Sequence, residues 1–137
     1  MNNKLTILLI EDDMIEVMKL NRTISKLEYP HKIIEAKNGE DALSILYKKD
    51  RLPDIILLDL NMPKLNGIEF LSILKNDSEL RYIPTIILTT SNNRKDMLEC
   101  YKIGVAGYVI KPLKFNDYVE LIKRVLDYWS CNELIKG

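Results

Sequence analysis

Charge of one sign is missing from this chain of 137 residues: 20 lysines and arginines stand against 20 aspartates and glutamates, for a formal net charge of zero. No bulk field therefore favours nucleic acid or an anionic membrane, and the partner class that remains is protein. Cysteine is scarce. Cys100 and Cys131 stand at a spacing that fits neither a disulfide framework nor a metal knuckle, which points to a reducing, cytoplasmic compartment. The single histidine, His31, follows Tyr29 and Pro30 without a second histidine or a carboxylate motif beside it, so a structural role is expected. Long apolar runs are also absent. Leu5 to Ile10 is too short for a secretory core and ends in Glu11, Asp12 and Asp13, and nothing else approaches membrane-spanning length.

What the chain has is alternation. Short apolar runs at Leu5 to Ile10, Lys32 to Ala36, Asp54 to Leu58, Thr85 to Thr90 and Gly107 to Ile110 read as strands, several of them nearly continuous in Ile, Leu and Val, as in a parallel sheet covered on both faces. Between them lie segments of helical spacing: Val17, Leu20, Ile24 and Leu27 in the first, Ile68, Leu71 and Leu74 in the third, and Tyr118, Leu121, Ile122, Val125, Leu126 and Trp129 in the last. The fourth, about Arg94 to Ile103, has the weakest apolar stripe and should be the easiest to shift. Asn38-Gly39, Asn66-Gly67 and Lys111-Pro112 punctuate the pattern between these segments. Five strand-helix units in one domain, residues 1–137, imply a parallel sheet with right-handed crossovers, in flavodoxin-like or Rossmann-like order.

In such sheets, ligands gather outside the carboxyl ends of the strands. The first strand closes with Glu11, Asp12 and Asp13, the third with Asp59, the fourth with Thr89 and Thr90, and the fifth with Lys111. Carboxylates placed together resist ionisation unless a cation joins them, and an all-oxygen donor set suits a hard ion, so Mg²⁺ is the expected cofactor. With a cation present, Asp59 can act as a nucleophile on phosphorus, while Thr89 donates a hydrogen bond and Lys111 a point charge to the transferred group. Taken singly, each has a plainer role: the acids cap a helix, Thr89 is a β-branched strand residue and Lys111 a solvated loop charge. Their convergence on one sheet edge favours chemistry.

The motifs Ile7-Leu8-Leu9-Ile10-Glu11-Asp12-Asp13, Asp54-Ile55-Ile56-Leu57-Leu58-Asp59-Leu60-Asn61-Met62-Pro63, Ile86-Ile87-Leu88-Thr89 and Gly104-Val105-Ala106-Gly107-Tyr108-Val109-Ile110-Lys111-Pro112 closely resemble the CheY-like receiver domain of two-component response regulators. The resemblance runs from Lys4 to about Val125. It implies a flavodoxin-like (βα)5 fold of strand order 2-1-3-4-5, without an output domain. It also implies Asp59 as phosphoacceptor, and an acidic pair, Glu11 and Asp12, at a metal site completed by Asp59 and the main-chain carbonyl of Asn61. Thr89 and Tyr108 become the switch pair, Lys111 the partner of a phosphoryl oxygen, Asp13 a helix-start residue, and Lys111-Pro112 a cis peptide. The expected partners are a sensor histidine kinase or phosphotransfer protein and a downstream protein target. The ending Asp127-Tyr128-Trp129 looks like that of small regulators paired with phytochrome-type kinases, the alternative being that Tyr128 and Trp129 simply continue the buried stripe of the last helix; in either case aromatic residues there suit a homodimer contact. Asn66 stands where many relatives have aspartate, and Thr90 and Ser91 alter bulk and polarity beside the expected phosphoryl group, which bears on its lifetime.

Three other functions are weaker. An aspartate-nucleophile phosphatase needs a general acid two residues after the nucleophile, where Asn61 stands. A phosphorylation-independent binding module would usually have lost acid-pocket residues, and all are present. A DNA-binding role has no basic stripe and no residues for a helix-turn-helix.

Overall fold

The computed structural model describes residues 4–48, 50, 52–62 and 65–135, so Pro63 of the third-strand motif lies outside the described residues. Five strand-helix units follow one another: β1 (Thr6–Ile10), α1 (Met14–Lys26), β2 (Lys32–Ala36), α2 (Gly39–Tyr47), β3 (Ile55–Leu58), α3 (Gly67–Asn76), β4 (Thr85–Thr89), α4 (Arg94–Ile103), β5 (Gly107–Ile110) and α5 (Phe115–Ser130), with a single 3-10 turn at Leu80–Tyr82 before β4. All pairings are parallel, in the order β2-β1-β3-β4-β5. This is the flavodoxin-like arrangement, and it resolves the choice that periodicity leaves open. Leu5, Asp54 and Thr90 fall just outside the strands.

The apolar runs have the fate their composition dictates. Every residue of β1, β3 and β4 is buried, because helices cover both faces of the central strands. The edge strands β2 and β5 keep partly exposed residues. Alternate side chains of each central strand enter opposite cores. Leu8, Ile10, Ile56, Leu58 and Ile87 join Phe70, Leu71 and Leu74 of α3 on one face, while Ile7, Leu9, Ile55, Leu57 and Ile86 join Val17 and Leu20 of α1 and Tyr118, Ile122 and Leu126 of α5 on the other. Fully burying one such side chain contributes roughly 1.5–3 kcal/mol.

Helix starts are set by capping side chains. Asp13 accepts the N–H of Ile15, Asn38 that of Asp41, and Asn93 those of Lys95 and Asp96. Asn66 and Glu69 form a reciprocal capping box at the start of α3. Asp13 therefore has the helix-start role expected of it. His31 is structural as well: its Nδ1 accepts the Leu5 N–H at 3.0 Å. Among the described residues no helix is long and apolar enough to cross a membrane.

One expectation needs correction. No described peptide bond is cis, so Lys111-Pro112 is trans, the isomer that even a prolyl bond intrinsically prefers.

Candidate functional site

Register brings the acids together. Ile10 lies opposite Leu58, so the residues that follow, Glu11 and Asp59, leave the sheet side by side, tied by the Asp59 N–H donating to the Ile10 carbonyl at 3.1 Å. On the other flank the Glu11 N–H donates to the Ala36 carbonyl at 3.0 Å. One carboxylate oxygen from each of Glu11, Asp12 and Asp59 lies within 4.8 Å of the others. β4 and β5 add the rest, since the Lys111 N–H bonds the Thr89 carbonyl at 2.8 Å and sends the lysine back along the sheet edge.

Asp59 is held from behind by a glycine. A Cβ at Gly67 would stand 2.7 Å from the Leu60 Cα and 2.8 Å from the Asp59 carbonyl oxygen, so α3 can begin this close to the end of β3 only without a side chain there. The Gly67 N–H also donates to the Leu60 carbonyl at 3.1 Å.

The cleft that results has a volume of about 290 Å³ and is lined by the acids Glu11, Asp12, Asp13, Glu16 and Asp59 with Asn61, Thr90 and Lys111. Among the described residues, five carboxylates face a single ammonium there. Burial pushes the Glu11 carboxyl up to about 7, with Lys111 pulling it down and Asp59 pushing it further up. Asp59 is raised for the same first cause, against the pull of Lys111 and of the Asn61 N–H. Burial opposes the charge of Lys111, but its contacts with the carboxylates of Glu11 and Glu16 outweigh that and raise its pKa. Among the described residues the pocket is thus short of positive charge, and its candidate metal ligands are all oxygens. Both properties fit a hard divalent cation.

The remaining residues divide between cleft and interior. Thr89 is fully buried, and its Oγ1 accepts the Ser91 N–H at 3.2 Å, while its neighbour Thr90 lines the cleft. Tyr108 packs its ring against the α3-side core and donates its hydroxyl to the Ser91 carbonyl at 2.9 Å. Ser91 also accepts the Asn93 N–H through Oγ at 3.3 Å, so both members of the expected switch pair meet in one turn before α4. At the end of α5, Trp129 packs into the α1-side core and Tyr128 is 59% exposed, so of the aromatic pair only Trp129 continues the buried stripe.

Sequence reasoning missed Glu16. It lies in the first turn of α1, and its Oε1 is 3.0 Å from the Lys111 Nζ, which also bonds the Glu11 Oε1 at 2.8 Å. The available signal was its position one helical turn beyond the acidic motif.

An acid cluster, a buried hydroxyl and a lysine at the carboxyl ends of β1, β3, β4 and β5, on a doubly wound sheet of this order, define a CheY-like signalling fold rather than a nucleotide-binding one. The profile of the response regulator receiver domain matches residues 7–123, and the chain belongs to that family of two-component signalling proteins. Among curated relatives, the "Probable methanogenesis regulatory protein FilR2" of Methanothrix harundinacea is 36% identical over 127 residues, covering 90% of this chain and 82% of that protein. The response regulator Rcp1 of Synechocystis is 30% identical over 128 residues, covering 90% of this chain and 87% of Rcp1. Among solved structures, the phosphorylated cyanobacterial phytochrome response regulator RcpA superposes with a TM-score of 0.89 at 30% identity, covering 96% of this chain and 98% of RcpA. The Mn²⁺-bound form of Rcp1 gives 0.87 at 29% identity, covering 96% and 99%.

Proposed function

We propose that this receiver accepts a phosphoryl group on Asp59 from a sensor histidine kinase or phosphotransfer protein, with Mg²⁺ as cofactor, and passes the event to a downstream protein in the cytoplasm. The observation that carries the reading is the acid cluster of the cleft: among the described residues, three carboxylates within 4.8 Å, two of them held above their ordinary pKa by burial, stand beside one lysine. The phosphorylated state of RcpA and the metal-bound state of Rcp1 support it by likeness.

Glu11, Asp12, Asp59 and the main-chain carbonyl of Asn61 are the groups assigned to the ion, and when bound it supplies charge neutralisation on the transferring group. The Asp59 carboxylate oxygen attacks phosphorus as the bond to the donor breaks, giving an aspartyl phosphate. Lys111 turns its ammonium to the new anion. The Thr89 hydroxyl turns the same way, giving up its bond to the Ser91 N–H, and the turn that holds Tyr108 is released or reset with it. The surface so changed is the one around α4, β5 and α5, and exposed Tyr128 offers an aromatic contact there for a target or a second copy. The protein catalyses its own phosphorylation and slow dephosphorylation and turns over no other substrate.

Incubated with Mg²⁺ and a labelled phosphodonor, the native protein should take up one phosphoryl group, and the Asp59→Asn variant none. Equal labelling of that variant would overturn the reading.

A further inference from the structure

We infer that Glu16 competes with the incoming phosphoryl group for Lys111, acting as a positioning residue that sets how readily the modified state forms; this rests on Asp59 being the phosphoacceptor. The Lys111 ammonium is held between two carboxylates, Glu11 at 2.8 Å and Glu16 at 3.0 Å, and the two contacts differ in kind. The first is a buried hydrogen bond, with side-chain exposures of 7% for Lys111 and 4% for Glu11. The second joins Lys111 to a side chain that is 22% exposed, and the Glu16 Oε1, although itself buried, makes no aligned hydrogen bond among the described residues. It is held there by the ion pair, without the aligned hydrogen bond that Glu11 has.

Phosphorylation acts on the weaker contact from both ends. Converting the Asp59 carboxylate to an acyl phosphate brings the charge there from −1 to roughly −2, which attracts Lys111 and repels Glu16. Glu16 has a second cation in reach, because its Oε2 already lies 3.5 Å from the Nζ of Lys19, three residues along α1. That ammonium in turn sits 4.5 Å from the centre of the Tyr118 ring of α5. A carboxylate released from Lys111 therefore has a partner on the solvent side, whereas Glu11, deeper and fully bonded, stays. In the unmodified protein Glu16 holds the lysine back, and its removal should favour the anion.

The test is a comparison of native and Glu16→Gln protein by calorimetric titration, first with Mg²⁺ alone and then with beryllofluoride, the phosphoryl mimic, at saturating Mg²⁺. Removing the charge should tighten beryllofluoride binding by about fivefold, the scale of a partly exposed ion pair. Mg²⁺ alone should bind no more tightly than in the native protein, because the cleft has lost a negative charge. A Lys111→Met background should reduce the Glu16→Gln effect on beryllofluoride to below about twofold, as expected of residues acting through one contact. Unchanged or weaker beryllofluoride binding by a folded Glu16→Gln variant overturns the inference and leaves Asp59 as acceptor. A native protein that binds Mg²⁺ but no beryllofluoride overturns both.

Discussion

α5 and α4 sit on opposite faces of the sheet, and the same chain has built them very differently. α5 buries Tyr118, Val119, Ile122, Leu126 and Ser130 over 16 residues, adds Trp129 to the same core, and is pinned near its end by the Tyr29 hydroxyl bonding Asp127. α4, at 10 residues, buries Cys100 and leaves Leu98 and Tyr101 largely exposed. With each buried apolar side chain contributing roughly 1.5–3 kcal/mol, α5 is anchored several times more firmly. The lesson is one of placement. The weakly held helix is the one whose start is wired to Thr89 and Tyr108 through Ser91, so displacement is cheapest next to the proposed switch pair.

The sharpest way to break this comparison is a pair of alanine substitutions read by urea unfolding. Ile122→Ala should cost about 2–5 kcal/mol, as a fully buried large-to-small change. Leu98→Ala should stay within about 0.5 kcal/mol, as a surface change. Similar costs for the two would mean that the helices are not unequally anchored.

A smaller effect is expected at Gly67. A methyl group there overpacks the Asp59–Leu60 backbone, so Gly67→Ala should lose about 1–3 kcal/mol and label more slowly from a phosphodonor, because the acceptor is displaced. Native stability with native labelling rates would show that α3 does not fix the acceptor.

The smallest effect concerns the end of α5 and the β1 entrance. Burial lowers the pKa of His31, with Asp127 pulling it the other way, and Nδ1 must be unprotonated to accept the Leu5 N–H. The unfolded chain therefore takes up a proton before the folded one does. Stability is complete above the ordinary histidine value of about 6.5 and is lost as pH falls through the lower folded value. His31→Phe should flatten that part of a stability-against-pH curve between pH 7 and 5. An unaltered slope would mean that the imidazole does not titrate with unfolding.

Much of this was legible in the sequence because the physics concerned is local or periodic. Continuous Ile-Leu runs mark β1, β3 and β4, and the thin stripe of Arg94 to Ile103 already marks α4 as loosely held. Convergence of Glu11, Asp12, Asp59 and Lys111 follows from strand ends alone. What stayed hidden depends on direction in space. Trp129 and Tyr128 are adjacent in sequence, but a step of about 100° around the helix puts one in the core and the other in solvent. Thr89 and Thr90 divide between interior and cleft by the same kind of alternation. The acceptor of Tyr108 is a main-chain carbonyl, which any residue at position 91 could supply, and Glu16 reads as an ordinary first-turn acid until the fold brings Lys111 to it.

The missing side chain at Gly67 has a mechanical consequence. With the backbone of α3 seated directly on the carbonyl of Asp59, there is no slack behind that residue, whereas α4 buries little apolar surface. On the proposed reading of Asp59 as acceptor, a push generated there is rectified: it travels toward α4 and β5, and the opposite side of the molecule acts as the abutment.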